Sequence, residues 1–216
     1  MNSLASSDVL IDICTQRDYL SPGGACLASN ADDVARNVRH LMALARWAHA
    51  PTLSCVDVHR VDEMRGLPRP HCIVGTLGQK KLGCTMLPDH AVIDCDNRLC
   101  VPLDVLALHQ QVILSKHHRD PFTNPKFDRL LTEMPAGRFI IFGVALEASL
   151  KLLSLGLLLR GRRVALIHDA CAYWNASDAD MAIRQLAAKG CDILSTSQWV
   201  TQSRAAQSRR RKRPAA

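Results

Sequence analysis

Short apolar runs alternate along this chain with longer stretches in which apolar residues recur every three or four positions, the pattern of strands alternating with helices. Val9–Cys14 (VLIDIC) predicts the first strand, with Asp12 an anomaly in an otherwise apolar run. A Gly/Pro loop at Ser21–Gly24 follows, then a helix starting near Asn30, a suitable N-cap with Asp32 and Asp33 in the first turn. Val34, Val38, Leu41, Ala45 and Ala48 share its sheet-facing side. Thr52–Val56, Ala91–Cys95 and Gln111–Ser115 predict further strands, with a short helix near Leu103–His109. Asn124–Met134 predicts a helix carrying Pro125 at its first position.

Phe139–Phe142 reads as a buried strand that turns at Gly143-Val144-Ala145 into a helix bearing Glu147 in its first turn and continuing through a leucine run. Doubly wound α/β proteins present a reactive group at such a break, where helix N–H groups can hold an anion. Ser149 stands where a nucleophile belongs. A strand at Arg163–His168, a helix opened by Ser177 and Asp180, and a last strand at Cys191–Ser195 complete the series. Asp57–Leu87 is the long irregular stretch, and loops of that length inside a compact domain are commonly functional or disordered. The pattern predicts an α/β three-layer sandwich, Rossmann-like, with a roughly six-stranded parallel sheet covered on both faces.

At 216 residues the chain suits one domain, 8–197, followed by a tail, 198–216. The leucine run is broken by Lys151 and closed by Arg160, too short to span a bilayer. The N-terminus shows no basic segment leading into an apolar one, so no secretory signal is inferred. Nine cysteines, none in a C-x-x-C pair, argue against zinc-ribbon and thioredoxin patterns and read as reduced thiols in a cytoplasmic protein. The net charge of +7 is concentrated in the tail: Arg204, Arg209, Arg210, Arg211, Lys212 and Arg213 leave about +1 on the body. The tail reads as disordered and able to meet anionic partners such as nucleic acid by counterion release, although a solvated tail without a fixed partner is the plainer reading. Neither G-x-G-x-x-G nor a Walker A segment is present, which argues against a nucleotide cofactor.

Four segments and the strand–helix break carry the candidate chemistry. They are Asp12–Tyr19 (DICTQRDY), Asp57-Val58-His59, Pro70–Thr76 (PHCIVGT) and Val112–Lys116 (VILSK), with Gly143–Ser149 (GVALEAS) at the break. In this order, across roughly residues 8–197, the chain resembles the isochorismatase-like superfamily, which includes nicotinamidases and other cysteine hydrolases. Members carry D-x-Q-x-D-F after the first strand, D-x-H after the second, P-H-C-x-x-G-T, a lysine at a strand end and G-x-A-T-D-x-C at the break. The resemblance implies a six-stranded parallel sheet and an Asp–Lys–Cys triad, in which cysteine attacks an amide or imine carbon, aspartate acts as base and lysine polarises the site. It also implies a small amide-like ligand and, by analogy of fold, a homo-oligomer.

Carried over residue by residue, Lys116 keeps the lysine, Cys14 stands at the aspartate and Ser149 at the cysteine. Asp12, two residues earlier, shares the expected face of the strand but lies about 6–7 Å along it. The candidate catalytic set is therefore Lys116, Ser149, Cys14 and Asp12. A serine hydroxyl needs a strong base, whereas Cys14, as a thiolate beside Lys116, would itself be a nucleophile. Three readings follow: a degenerate hydrolase that binds a small ligand or partner, an active small-amide hydrolase using Ser149 or Cys14 with Lys116, and a structural or regulatory protein attached by its basic tail to an anionic partner such as nucleic acid. For a metal, the resemblance implies Asp57, His59 and His71, a set suited to Zn, Mn or Fe, with Glu63 able to replace an intervening histidine of some members. An Asp-x-His at a strand end can equally hydrogen-bond a loop. His117 and His118 read as surface residues, Cys171 as packing, and Trp47 and Trp174 as packing or rim aromatics.

Overall fold

In a computed structural model of the chain, residues 8–66, 68–94 and 100–211 are described, with side chains through 203. Seven parallel strands form one sheet: β1 (Asp8–Ile13), β2 (Thr52–Asp57), β3 (His90–Ile93), β4 (Gln111–Lys116), β5 (Arg138–Val144), β6 (Val164–Ala172) and β7 (Asp192–Leu194). Their order is β3-β4-β2-β1-β5-β6-β7. The count is seven rather than six because both short edge segments, β3 and β7, pair with their neighbours. β1, β2 and β5 are buried almost end to end, as strands with both faces covered must be.

The helices are α1 (Arg17–Leu20), α2 (Ala31–Ala48), α3 (Val105–Leu108), α4 (Pro125–Glu133), α5 (Lys151–Leu159), α6 (Ala176–Ala188) and α7 (Thr196–Arg211). Val34, Val38, Leu41 and Ala45 of α2 are buried as their spacing predicts, but Ala48 is exposed in the last turn. Asn30 does not cap α2. Its amide donates to the Cys171 carbonyl (3.1 Å) and its carbonyl accepts from the Tyr173 N–H (3.1 Å), tying the helix to the end of β6. Asn124 does cap α4, accepting from the N–H groups of Lys126 and Phe127. At α6 the cap is Asn175, which accepts from Ser177 and Asp178, so the expected Ser177 opening lies two residues too late.

The C-terminal segment departs from the expected disordered tail, because α7 continues through Arg211. Its start is fastened: Thr196 donates from both N–H and hydroxyl to Asp169 (2.8 Å each), and buried Trp199 donates its ring N–H to Asp8 (3.2 Å). A fastened first turn removes the nucleation cost, after which Ala, Gln and Arg propagate the helix well. Residues 212–216, Cys95 and the end of the predicted 91–95 strand lie outside the described residues. Among the described residues no helix is long and apolar enough to cross a membrane.

The topology brings the carboxyl ends of β4, β2, β1 and β5 side by side, and the chain crosses from one half of the sheet to the other between β4 and β5. Open α/β sheets bind ligands at such a crossing. Gly143 allows β5 to run close beside β1 there. Its φ is +120°, and a Cβ would stand 2.0 Å from the Ile13 carbonyl oxygen, so only glycine fits.

Candidate functional site

Three neighbouring strand ends supply the centre. Asp57 and Lys116 are register partners on β2 and β4, so their side chains emerge on one face, and the Lys116 ammonium pairs with Asp57 Oδ1. Cys14 follows the end of β1 with φ +51°, a left-handed turn that takes it out of strand alternation. Its thiol donates to Asp57 Oδ2 at 3.2 Å, and the Tyr19 hydroxyl donates to the same oxygen at 2.6 Å. Gln16 brackets the backbone of Asp57, donating to its carbonyl (2.8 Å) and accepting its N–H (2.7 Å). Lys116 spends a further proton on the His118 carbonyl (3.1 Å).

Charge follows from this packing. Burial opposes ionisation of Asp57, but the Lys116 ammonium and the Tyr19 and Cys14 donors outweigh it and hold the carboxyl below its ordinary range. Burial likewise opposes the Lys116 charge, and the Asp57 carboxylate, by its charge and its hydrogen bond, keeps it protonated. The Cys14 thiol is pushed far up, first by complete burial and then by the Asp57 charge; nearby Lys116 does not compensate. Cys14 is therefore a neutral thiol that donates a hydrogen bond, not the thiolate that a relocated nucleophile requires.

The long loop closes over this centre. Asp18 accepts from the N–H groups of Ala25 (3.1 Å) and Cys72 (2.7 Å), and a Cβ on Gly78 would collide with its carboxylate. The His59 N–H donates to the Cys72 carbonyl (3.0 Å) and the Val74 N–H to the His59 carbonyl (2.9 Å), seating His71 beside the strand end. His71 stands 5.4 Å, centroid to centroid, from both His59 and Tyr19, and Tyr19 lies 5.7 Å from Trp174. Burial lowers His59, with His71 and Lys116 adding to the effect against Asp57 and Glu63, so its imidazole is neutral at pH 7.

The expected metal set does not assemble. Asp57 offers one oxygen to an ammonium and the other to a hydroxyl and a thiol, which leaves it poorly placed to ligate a cation. Glu63 lies 3.9 Å from a ring nitrogen of both His59 and His117, and its Oε2 accepts the Arg60 N–H at 2.8 Å. Among the described residues no group of three or more His, Cys, Asp or Glu could hold a metal ion. As they stand, these residues do not fit a divalent metal.

Asp12 belongs to a separate network, and Ser149 makes no hydrogen bond to this centre. Asp12 is fully buried, but it accepts from Lys81 (2.5 Å), Thr15 (2.7 Å) and Ser54 (3.1 Å) and meets none of Cys14, Asp57 or Lys116. The left-handed turn at Cys14 ends the strand, so residue 14 does not share the face of Asp12 as alternation predicts. Ser149 is buried in a π-helical turn (Leu146–Leu150) leading into α5, and no hydrogen bond joins its hydroxyl to Lys116 or Cys14. Glu147 accepts from the N–H groups of Trp174 (2.8 Å) and Asn175 (3.2 Å), bridging to the loop after β6. Cys171 is buried and Trp47 exposed.

The sequence alone missed Tyr19, Gln16 and Lys81. Tyr19 had a signal: a hydroxyl stands where the resembled motif has phenylalanine, and a buried tyrosine requires a partner for its O–H. Lys81 had none, being one of two adjacent lysines in a long loop.

The isochorismatase domain family matches residues 8–198. Among solved structures, the chain is similar to a pyrazinamidase of Pyrococcus horikoshii in complex with zinc, at 24% identity and TM-score 0.70, covering 88% of this chain and 99% of that one. It is also similar to a nicotinamidase/pyrazinamidase from Bacillus subtilis (18% identity, TM-score 0.70, 88% and 100% covered). An isochorismatase family protein from Desulfovibrio vulgaris gives 17% identity, TM-score 0.71 and coverage of 89% and 95%. No curated protein matches the chain.

Proposed function

The chain belongs to the isochorismatase domain family, and on that premise we propose that it is a small-ligand-binding member whose amide-hydrolysing chemistry has lapsed. The observation that carries this reading is the state of Cys14. Where the resembled motif has a base, this chain has a buried, neutral thiol that spends its proton on Asp57. A general base takes a proton through a hydrogen bond, and neither Cys14 nor Lys116 is hydrogen-bonded to Ser149. An unassisted serine hydroxyl is a weak nucleophile at neutral pH.

What remains at the strand ends is suited to binding. Tyr19, His71 and Trp174 form a chain of ring contacts beside the buried Asp57–Lys116 pair. The half-buried rings of His71 and Trp174 suit a small planar molecule with polar edges, and the nicotinamidase and pyrazinamidase names among the structural neighbours point to an amide or its acid.

Ammonia release from nicotinamide, pyrazinamide and a panel of small amides tests the reading. Wild type should release no more than background. Cys14→Asp combined with Ser149→Cys should gain turnover, because it supplies a base and a nucleophile beside the existing lysine. Wild-type hydrolysis that disappears in Lys116→Ala would establish the alternative, an active hydrolase using Ser149 or Cys14.

A further inference from the structure

We infer that Asp57 serves as the counter-ion of Lys116 in place of the aspartate absent at position 14, and that this pairing disables the Asp57–His59–His71 metal set. The inference goes beyond the lapse of hydrolysis, because it assigns the loss of two sites to one substitution. Its basis is the occupancy of Asp57. Oδ1 holds the Lys116 ammonium, Oδ2 holds the Tyr19 and Cys14 protons, and Gln16 fixes the backbone on both sides. A cation approaching that carboxylate would have to displace the ammonium and leave it buried without a counter-charge, at 1% side-chain exposure.

Charge counting gives the same direction. Asp57 and Lys116 already neutralise each other, so Glu63, 3.9 Å from a ring nitrogen of His59, would set one negative charge against the two positive charges of a divalent ion. An aspartate at position 14 adds one negative charge within reach of Asp57 and its lysine, since the present thiol already touches Asp57. Lys116 could then pair with residue 14 and release Asp57. The backbone favours the change: at φ +51° Asp is among the non-glycine residues best tolerated, and Cys is not. The histidines are ready for it. His71 Nδ1–H donates to the Arg69 carbonyl at 2.7 Å, which leaves Nε2 as its free acceptor, and His59 lies 5.4 Å away by ring centroid.

Titration calorimetry with zinc chloride tests the inference on the full chain as wild type, Cys14→Asp, and Cys14→Asp with His71→Ala. Wild type should show no binding that depends on His71. Cys14→Asp should take up one zinc per chain at least about 100-fold more tightly than wild type, and the added His71→Ala should abolish that gain. Lys116→Met, which frees Asp57 without adding a carboxylate, provides a second route and should also gain His71-dependent zinc. One equivalent of zinc on wild type that is lost in His71→Ala would overturn the inference. So would a folded Cys14→Asp that gains nothing, a gain untouched by His71→Ala (chelation by other cysteines), or, should Cys14→Asp fail to fold, a Lys116→Met that gains nothing. An inactive wild type that holds zinc through His71 would sink this inference and spare the proposed function; an active wild type without His71-dependent zinc would do the reverse.

Discussion

Two buried aspartate–lysine pairs lie within one molecule, and they do different work. Asp12–Lys81 has side chains 0% and 5% exposed; Asp57–Lys116 has 10% and 1%. Burial and charge do not separate them. Their company does. Asp12 is surrounded by neutral donors: Thr15 and Ser54 bond to it, Ser54 accepts from Gln111 (2.8 Å), and Gln111 continues to the Thr85 carbonyl (2.8 Å) and the Leu87 N–H (2.7 Å). The links to Thr85 and Leu87 join the sheet to the loop that carries Lys81, so the network fastens that loop. Asp57 instead meets a thiol, a phenol and an ammonium at strand ends, beside histidines and aromatic rings. A buried ion pair is thus a weak sign of a functional site; titratable neighbours at the carboxyl edge of the sheet are a better one.

The sharpest way to break the comparison is to remove one partner of the fastening pair. Asp12→Leu leaves Lys81 buried without its counter-charge and should destabilise the protein by about 3–5 kcal/mol in urea unfolding. Adding Lys81→Met should recover much of that loss, because removing both charges removes the stranded one. A single substitution costing under about 1 kcal/mol would mean that the pair is not buried in solution as described.

Asp57→Asn should cost somewhat less, about 2–3 kcal/mol at pH 7, since Asn keeps an acceptor and the position opens toward the strand ends. It also changes the acid limb. The folded carboxyl is held below its unfolded value near 3.9, so its contribution is present above about pH 4 and is lost as the pH falls through the lower folded value. Unfolding free energy measured from pH 6 down to 2 should fall less steeply in Asp57→Asn than in wild type. Parallel acid limbs would show that Lys116 and Asp57 are not paired.

The sheet and its site region were legible in the sequence because apolar runs and end-of-strand motifs report directly on a parallel sheet; Lys116 and Asp57 sat at strand ends, where chemistry gathers. Their pairing was not legible, because it depends on the register of β2 against β4, two strands separated by the long loop and β3. Asp12 was misassigned for a local reason. Alternation holds only while the strand continues, and nothing in the residues IleCysThr announces the left-handed turn at Cys14. The helical start of the C-terminal segment was hidden for the opposite reason: Thr196 and Trp199 are anchored by Asp169 and Asp8, remote in sequence.

Cys14 yields a smaller and more selective effect. Its folded thiol is raised far above the unfolded value near 8.5, so its contribution is full below that pH and declines as the pH rises, when the unfolded thiol ionises and the folded one does not. Native protein treated with iodoacetamide at pH 8.5 should label exposed Cys100 and spare Cys14, with sites read by peptide mass spectrometry. Rapid labelling of Cys14 would reveal the thiolate that the active-hydrolase reading needs.

Ser149→Ala should have the smallest effect of all. Ser149 is buried, yet its hydroxyl bonds to neither Lys116 nor Cys14, so removing one oxygen should shift stability by less than about 1 kcal/mol. The variant separates the two pairs' surroundings once more. If the site at Asp57 only binds, affinity for a small amide should depend on Tyr19 and Lys116 and be indifferent to the hydroxyl at 149. If the serine is instead the nucleophile, Ser149→Ala should leave affinity intact while abolishing turnover, a split that loosened packing would not produce. A measured fall in kcat without change in KM at this one position would therefore restore the strand–helix break to the role that its architecture first suggests.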